Sequence, residues 1–253
     1  MTTHHDIKAL LDEQARRINS EAFIARDPVQ FPRRFSDVRD IEIAALLAST
    51  IAWGNRTMIC RSAEKMFGLM DWQPYEYVMD RGYEDLPDCN IHRTFFARNF
   101  RHYLRGLNLI YSKYGSLEAY AAARHIGDDA YPSWQLADAI NAALKQANDG
   151  VGDSRCLPQN LDTSALKRLN MALRWLVRDD GIVDLGVWSV IRPAQLYIPL
   201  DVHVGRLSSE LGLLQRCSND RKAAVELTEC LRGFDADDPV RYDYALFGLG
   251  VGE

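Results

Sequence analysis

The sequence lacks any CxxC pair, any apolar run approaching the roughly 20 residues that a bilayer-spanning helix requires, and nearly any alternating pattern of strands. Its five cysteines, Cys60, Cys89, Cys156, Cys217 and Cys230, are odd in number and far apart. They read as reduced thiols and not as a disulfide framework, a zinc site or an iron–sulfur centre, so no metal or other cofactor is expected. The opening stretch, MTTHHDIKALLDEQARRI, has no basic-then-apolar order of an export signal and reads as an amphipathic helix. The expectation is a soluble, cytoplasmic chain with no membrane association and no obligate protein partner.

Lysine is also scarce: only six of the thirty basic residues are lysine. Arginine, the better fork for phosphate, therefore carries most of the positive charge. The net charge of −5 counts against nucleic-acid binding, which favours a basic surface. The charge is unevenly spread, however. Arg93, Arg98, Arg101, Arg105, Lys113 and Arg124 face a single acid, Glu118, over their stretch, while acids collect at Asp235, Asp237 and Asp238.

What is abundant is helical periodicity. Ile7, Leu10, Leu11, Ala15, Ile18 and Ala22 predict one helix from Asp6 to Ala25, stopped by Asp27-Pro28. Asp37 is placed to cap an apolar helix, DIEIAALLASTIAW, broken at Gly54-Asn55 and followed by a helix from Thr57 to Met70. In HRTFFARNFRHYLRGLNLIYSKYG, Phe96, Phe100, Tyr103, Leu107 and Ile110 share a face and leave most arginines on the other. SLEAYAAARH and SWQLADAINAALKQAN predict two more helices before a loop from Asp149 to Asp162. TSALKRLNMALRWLVRDDG aligns Leu166, Leu169, Leu173, Leu176 and Val177 on one stripe, with Thr163 or Ser164 as cap and an end near Gly181. VWSVIRPAQLYIP reads as a short helix and a buried connection, and three further helical stretches, from Asp201, Asp220 and Asp238, complete an all-α fold.

Two residues carry potential chemistry. If Ser164 caps its helix, Lys167 lies in the first turn, where the positive end of the dipole disfavours an ammonium and favours a neutral, nucleophilic amine. Asp201, just after Pro199, can cap its own helix and stay ionised to face a cation. Taken alone, a lysine in a first turn and a capping aspartate are common structural features.

The surrounding pattern is more specific. KRLNMALRWLVR followed by IPLDVHVGRLSSELGLL resembles the lysine-bearing helix and the (V/I)D-x-H-hydrophobic-x-R motif of the helix-hairpin-helix (HhH-GPD) DNA glycosylases. The motif here reads Leu200, Asp201, Val202, His203, Val204, Gly205, Arg206. The wide lysine-to-aspartate spacing is most similar to the archaeal 8-oxoguanine glycosylase branch. With ALLASTIAWGN, HRTFF and YDYALFGLG, nearly the whole chain resembles a bacterial family of unknown function, DUF2400.

The glycosylase resemblance implies a bilobal all-α fold with an active-site cleft between lobes, one lobe from residues 1–37 plus 215–253 and the other from 38–214, carrying a hairpin-like region at 164–214. It implies N-glycosylase and abasic-site lyase activity on an oxidised purine such as 8-oxoguanine in a damaged DNA duplex, through an extruded base. Lys167 would attack the deoxyribose C1′ and form a Schiff base, and Asp201 would stabilise the oxocarbenium ion. Asn55 would reach the orphaned base; Arg56, Arg168 and Arg206 would hold the DNA; Tyr244 or Phe247 would stack on the flipped base. His203 is expected to bond backbone in the core, and Trp175 and Trp188 to be core residues. The sequence departs from the pattern in one place: NLDTSALKRL lacks the glycine-rich hairpin that offers N–H groups to phosphate. Two other readings stand beside this one, a non-catalytic nucleic-acid-binding module that uses the basic helix Arg93 to Arg105, and a protein-interaction scaffold favoured by the net acidity.

Overall fold

A computed structural model of the chain describes residues 4–252, which are predominantly helical. The first apolar stripe forms α1 (His4–Ile18) and buries Ile7, Leu11, Ala15 and Ile18. It does not continue to Ala25, because the backbone extends at Ser20 before a one-turn α2 (Glu21–Ile24). Asp27 then caps a 3-10 turn, Pro28–Gln30, by accepting the Val29 N–H. Helix α3 (Val38–Thr50) starts as predicted at Asp37, whose carboxylate accepts the Arg39 N–H. Every α3 residue from Ile41 to Thr50 is buried, which marks it as a central helix. The turn at residues 51–55 leads into α4 (Arg56–Gly68), capped by Asn55.

The predicted basic helix starts later than its periodicity suggests. After α5 (Pro74–Met79), strands β1 (Asn90–His92) and β2 (Phe95–Phe96) pair antiparallel, and only then does α6 (Ala97–Tyr114) begin. Strands of three and two residues are too short to display a period of two. Helices α7 (Leu117–Ala123) and α8 (Pro132–Ala147) follow, and α8 packs against α6. Gly106 allows that contact: a Cβ there would lie 3.0 Å from the Leu144 Cα. Glu42, fully buried in α3, ties the layers together by accepting from Tyr111 Oη, Trp188 Nε1 and the N–H groups of Leu117 and Glu118.

Helix α9 (Lys167–Val177) packs on α3. Neither Thr163 nor Ser164 caps it; the cap position is Leu166, held in the left-handed region at φ 51°, and the Ser164 hydroxyl only accepts the Leu166 N–H. Lys167 is therefore the first helical residue. A connection with one half-buried 3-10 turn, Pro193–Gln195, and a buried final stretch at residues 196–200 reaches α10 (Val202–Glu210), α11 (Arg221–Arg232) and α12 (Asp243–Val251). Helix α12 packs on both α1 and α10. One continuous apolar core runs from Ile7 to Leu246 and contains Trp175 and Trp188, as expected. Among the described residues, no helix is long and apolar enough to cross a membrane.

Candidate functional site

The first residue of α9 and the cap of α10 meet in one cavity. Lys167 Nζ lies 3.9 Å from Asp201 Oδ2 and 3.5 Å from the Ala52 carbonyl oxygen. Asp201 divides its two oxygens. Oδ1 accepts the backbone N–H groups of His203 and Val204 at 2.9 and 3.1 Å, leaving Oδ2 to face the lysine. Both side chains are partly exposed, 27% and 21%, and both line the same cavity.

This cavity, of about 710 Å³, draws its walls from both ends and the middle of the chain. Phe23 and Asp27 come from the N-terminal part, residues 52–56 from the turn after α3, Lys167, Arg168 and Arg174 from α9, Asp201 and His203 from α10, and Asp243 and Phe247 from α12. Its charged walls are Arg56, Lys167, Arg168 and Arg174 against Asp27, Asp201 and Asp243. Cations thus outnumber carboxylates by one in an acidic chain, which places the excess acid elsewhere. Asp235 and Asp238 indeed pair with Arg241 and Arg178 and are not among the lining residues.

Of the residues singled out in the sequence, Lys167, Asp201, Asn55, Arg56, Arg168 and Phe247 all line this cavity. Asn55 caps α4 through its Oδ1, 3.3 Å from the Met58 nitrogen, and stays exposed at the rim. Arg56 turns inward: Nε is 3.9 Å from Asp27 Oδ2, and the guanidinium lies 4.7 Å from the centre of the Phe247 ring. Arg168 donates to the Thr50 carbonyl oxygen at 2.6 Å, satisfying the C-terminal end of α3, and lies 5.3 Å over the Trp53 ring. Burial lowers its pKa.

Three residues lie elsewhere than expected. Tyr244 is buried against Phe23 and the Arg174 guanidinium and does not line the cavity, because its face of α12 turns into the core. Arg206 is bonded to the Gly250 carbonyl oxygen at 3.0 Å, facing the end of α12 and not the cavity. His203 is exposed and lines the cavity, where a core position was expected, since Val202 and His203 face out while Val204 and Gly205 turn to the core. In the basic segment, Arg105 pairs with Glu84 and Arg101 donates to the Leu86 carbonyl oxygen, so these two are committed within the protein.

Two carboxylates of the cavity escaped the sequence reading. Asp243, the first residue of α12, is buried and bonded to Arg174. Burial, together with the negative charge of Asp201, lifts its pKa to about 6 against the opposing pull of Arg174 and Lys167. Asp27 is likewise pushed up by burial, while Val29, Arg174, Arg56 and Lys167 act against that rise. Arg174 also contacts Asp184, which is shared with Arg178, so an ion network braces the cavity from beneath. An acid at a helix start reads as an ordinary cap, and only the packing of α9 on its neighbours gives these two their setting.

A second cavity of about 480 Å³ also reaches the start of α9 and shares Lys167 and Arg168 with the first. Its walls are mostly neutral: Thr50, Tyr103, Gln159, Asn160, Ser164 and Asn219 among them.

The family model described as protein of unknown function, DUF2400, matches residues 27–252. The chain belongs to the DUF2400 family. No curated protein and no solved structure matches it. The match spans the DUF2400 chain from Asp27, at the cavity wall, to the end of α12, and so includes every cavity residue named above except Phe23.

Proposed function

We propose that this DUF2400 protein is a DNA glycosylase with associated abasic-site lyase activity, built on a bilobal HhH-GPD-like fold, with the Lys167 cavity as its active-site cleft. The observation that carries the reading is the pairing of a cavity-facing lysine amine with a carboxylate whose other oxygen is fixed by two backbone N–H groups. A cavity of this size accommodates a nucleobase with its sugar.

Each cavity residue then has a task. The Lys167 amine, after giving up a proton to Asp201 or solvent, attacks C1′; the C1′–N bond breaks and the base departs with the electron pair and takes up a proton. Asp201 Oδ2 stabilises the positive charge that develops on C1′ and O4′. Opening of the C1′–O4′ bond, with protonation of O4′, leaves an imine on Lys167. Loss of a C2′ proton then expels the 3′ phosphate and cuts the strand. Phe247 offers a ring to a flipped base, Asn55 the rim position for the orphaned base, and Arg168 and Arg56 a positive field. The substrate class we assign is an oxidised purine such as 8-oxoguanine in duplex DNA.

A lysine and a carboxylate 3.9 Å apart, both partly exposed on the wall of one cavity, favour the catalytic reading over a purely binding module. Single-turnover assays on duplexes carrying 8-oxoguanine, other oxidised bases or undamaged guanine test the reading. Release of the oxidised purine and not of guanine is expected; release of no base from any duplex contradicts it.

A further inference from the structure

The β1–β2 hairpin is the one sheet element among the described residues, and it is fastened to the cavity rim. His92 does the fastening. Its Nε2 is 3.0 Å from the Trp53 carbonyl oxygen, its Nδ1 is 3.0 Å from Ser62 Oγ in α4, and its ring stands edge-on to Trp53 at 4.7 Å. Burial pushes the His92 pKa down, so the ring is neutral near pH 7. A carbonyl oxygen can only accept, hence Nε2 carries the proton and Nδ1 accepts from the Ser62 hydroxyl. That arrangement locks the hairpin onto the Trp53–Asn55 turn.

The lock places the exposed hairpin tip over the turn. Arg93 adopts φ 49°, and its guanidinium lies so close to Gly54 that a Cβ on that glycine would come 2.5 Å from Nη1. Gly54 itself has φ 102°, a left-handed conformation that glycine adopts without strain. Arg93 makes no ion pair among the described residues. Nor do Arg98, which lies over the Phe96 ring at 4.6 Å, or Arg155, whose carbonyl oxygen receives Arg168. Asp153, two residues before Arg155, accepts from the Asn99 amide and the Arg155 N–H. The uncompensated Arg93 guanidinium thus abuts the rim turn at Gly54, beside the cavity residues Trp53 and Asn55.

We infer that the hairpin is a backbone clamp: Arg93, flanked by Arg98 and Arg155, holds phosphates of the nucleic-acid strand beside the cavity mouth. Planar forks on a fixed hairpin suit phosphate oxygens, and a strand held there lies across Trp53-Gly54-Asn55. The inference rests on the glycosylase reading only for which nucleotide enters the cavity; the clamp itself rests on the hairpin.

The test is fluorescence anisotropy of a labelled duplex carrying a tetrahydrofuran abasic analogue, titrated over a range of salt. Wild type, Arg93→Ala, Arg93→Lys and, as an equal change of charge at an exposed residue of α11, Lys222→Ala are compared, with melting temperatures to verify folding. Arg93→Ala should lower the slope of log affinity against log salt by about one, the share of one phosphate contact. Arg93→Lys should restore most of that slope, and Lys222→Ala should leave it unchanged. The clamp is overturned if wild type does not bind, if Arg93→Ala keeps the wild-type slope, or if Lys222→Ala lowers it equally. Borohydride trapping on a natural abasic site separates the two ideas. Trapping with a slope indifferent to Arg93 removes the clamp and keeps the enzyme; an Arg93-dependent slope without trapping keeps the clamp and removes the enzyme.

Discussion

Lys167 and Asp201 stand at the starts of two different helices, and their side chains approach to 3.9 Å across the wall of one cavity. The aspartate holds its helix with one oxygen and faces the lysine with the other, so its two duties can be separated by substitution.

Asp201→Asn retains an oxygen for the His203 and Val204 N–H groups but loses the charge facing Lys167. Base release should slow by about a hundredfold or more, the scale of removing one electrostatic partner of a transition state, with DNA affinity largely kept. Asp201→Ala should show the same kinetic loss and, in addition, about 1 kcal/mol lower stability from the missing cap. Rapid-quench assays and chemical denaturation read the two effects; equal rates for Asp201→Asn and wild type contradict the assignment.

Asp243 should leave a signature in stability against pH. Burial raises its folded-state pKa from 3.8 to about 6, so between those values the folded chain holds a proton that the unfolded chain has released. Its contribution is therefore fully present at low pH and is lost as pH rises through that window. Asp243→Asn removes the titration. The difference in unfolding free energy, wild type minus variant, should fall from pH 4 to about pH 6, the window bounded by the two pKa values. A flat difference shows that Asp243 is ionised throughout, held by Arg174.

Glu42 gives a structural prediction independent of function. Its carboxylate accepts four hydrogen bonds, from Tyr111, Leu117, Glu118 and Trp188. In Glu42→Gln the amide nitrogen must face two of those donors, which should cost about 2–4 kcal/mol, as for any buried polar group turned against its partners. Unfolding in urea measures the loss; a variant as stable as wild type would mean that these donors find other acceptors.

Local signals were readable without the fold. Asp37, Asp201 and Asp220 each cap the helix that their position announces, because capping involves only residues two or three apart. The convergence of Lys167 and Asp201 is a tertiary fact that helical periodicity alone does not contain; the motif resemblance pointed to it. Tyr244 and Phe247 are three residues apart on a helix that is apolar on every side after Asp243, so helical periodicity does not separate the one that is buried from the one that lines the cavity. The hairpin at residues 90–96 was hidden by its brevity, and Asp27 and Asp243 by their resemblance to ordinary caps. Leu166 shows the opposite difficulty: its left-handed backbone is one that glycine adopts freely, yet the chain supplies a leucine, and composition gave no hint of the turn.

Imine formation between the Lys167 amine and a sugar is read out by borohydride trapping on abasic and 8-oxoguanine duplexes, followed by mapping of the adduct. Wild type should yield a covalent complex with the sugar fragment on Lys167. Lys167→Gln and Lys167→Arg should yield none, since a guanidinium keeps its proton at any working pH and cannot replace the amine. Absence of a wild-type complex, an adduct on another residue, or trapping by Lys167→Arg equal to wild type would contradict the account.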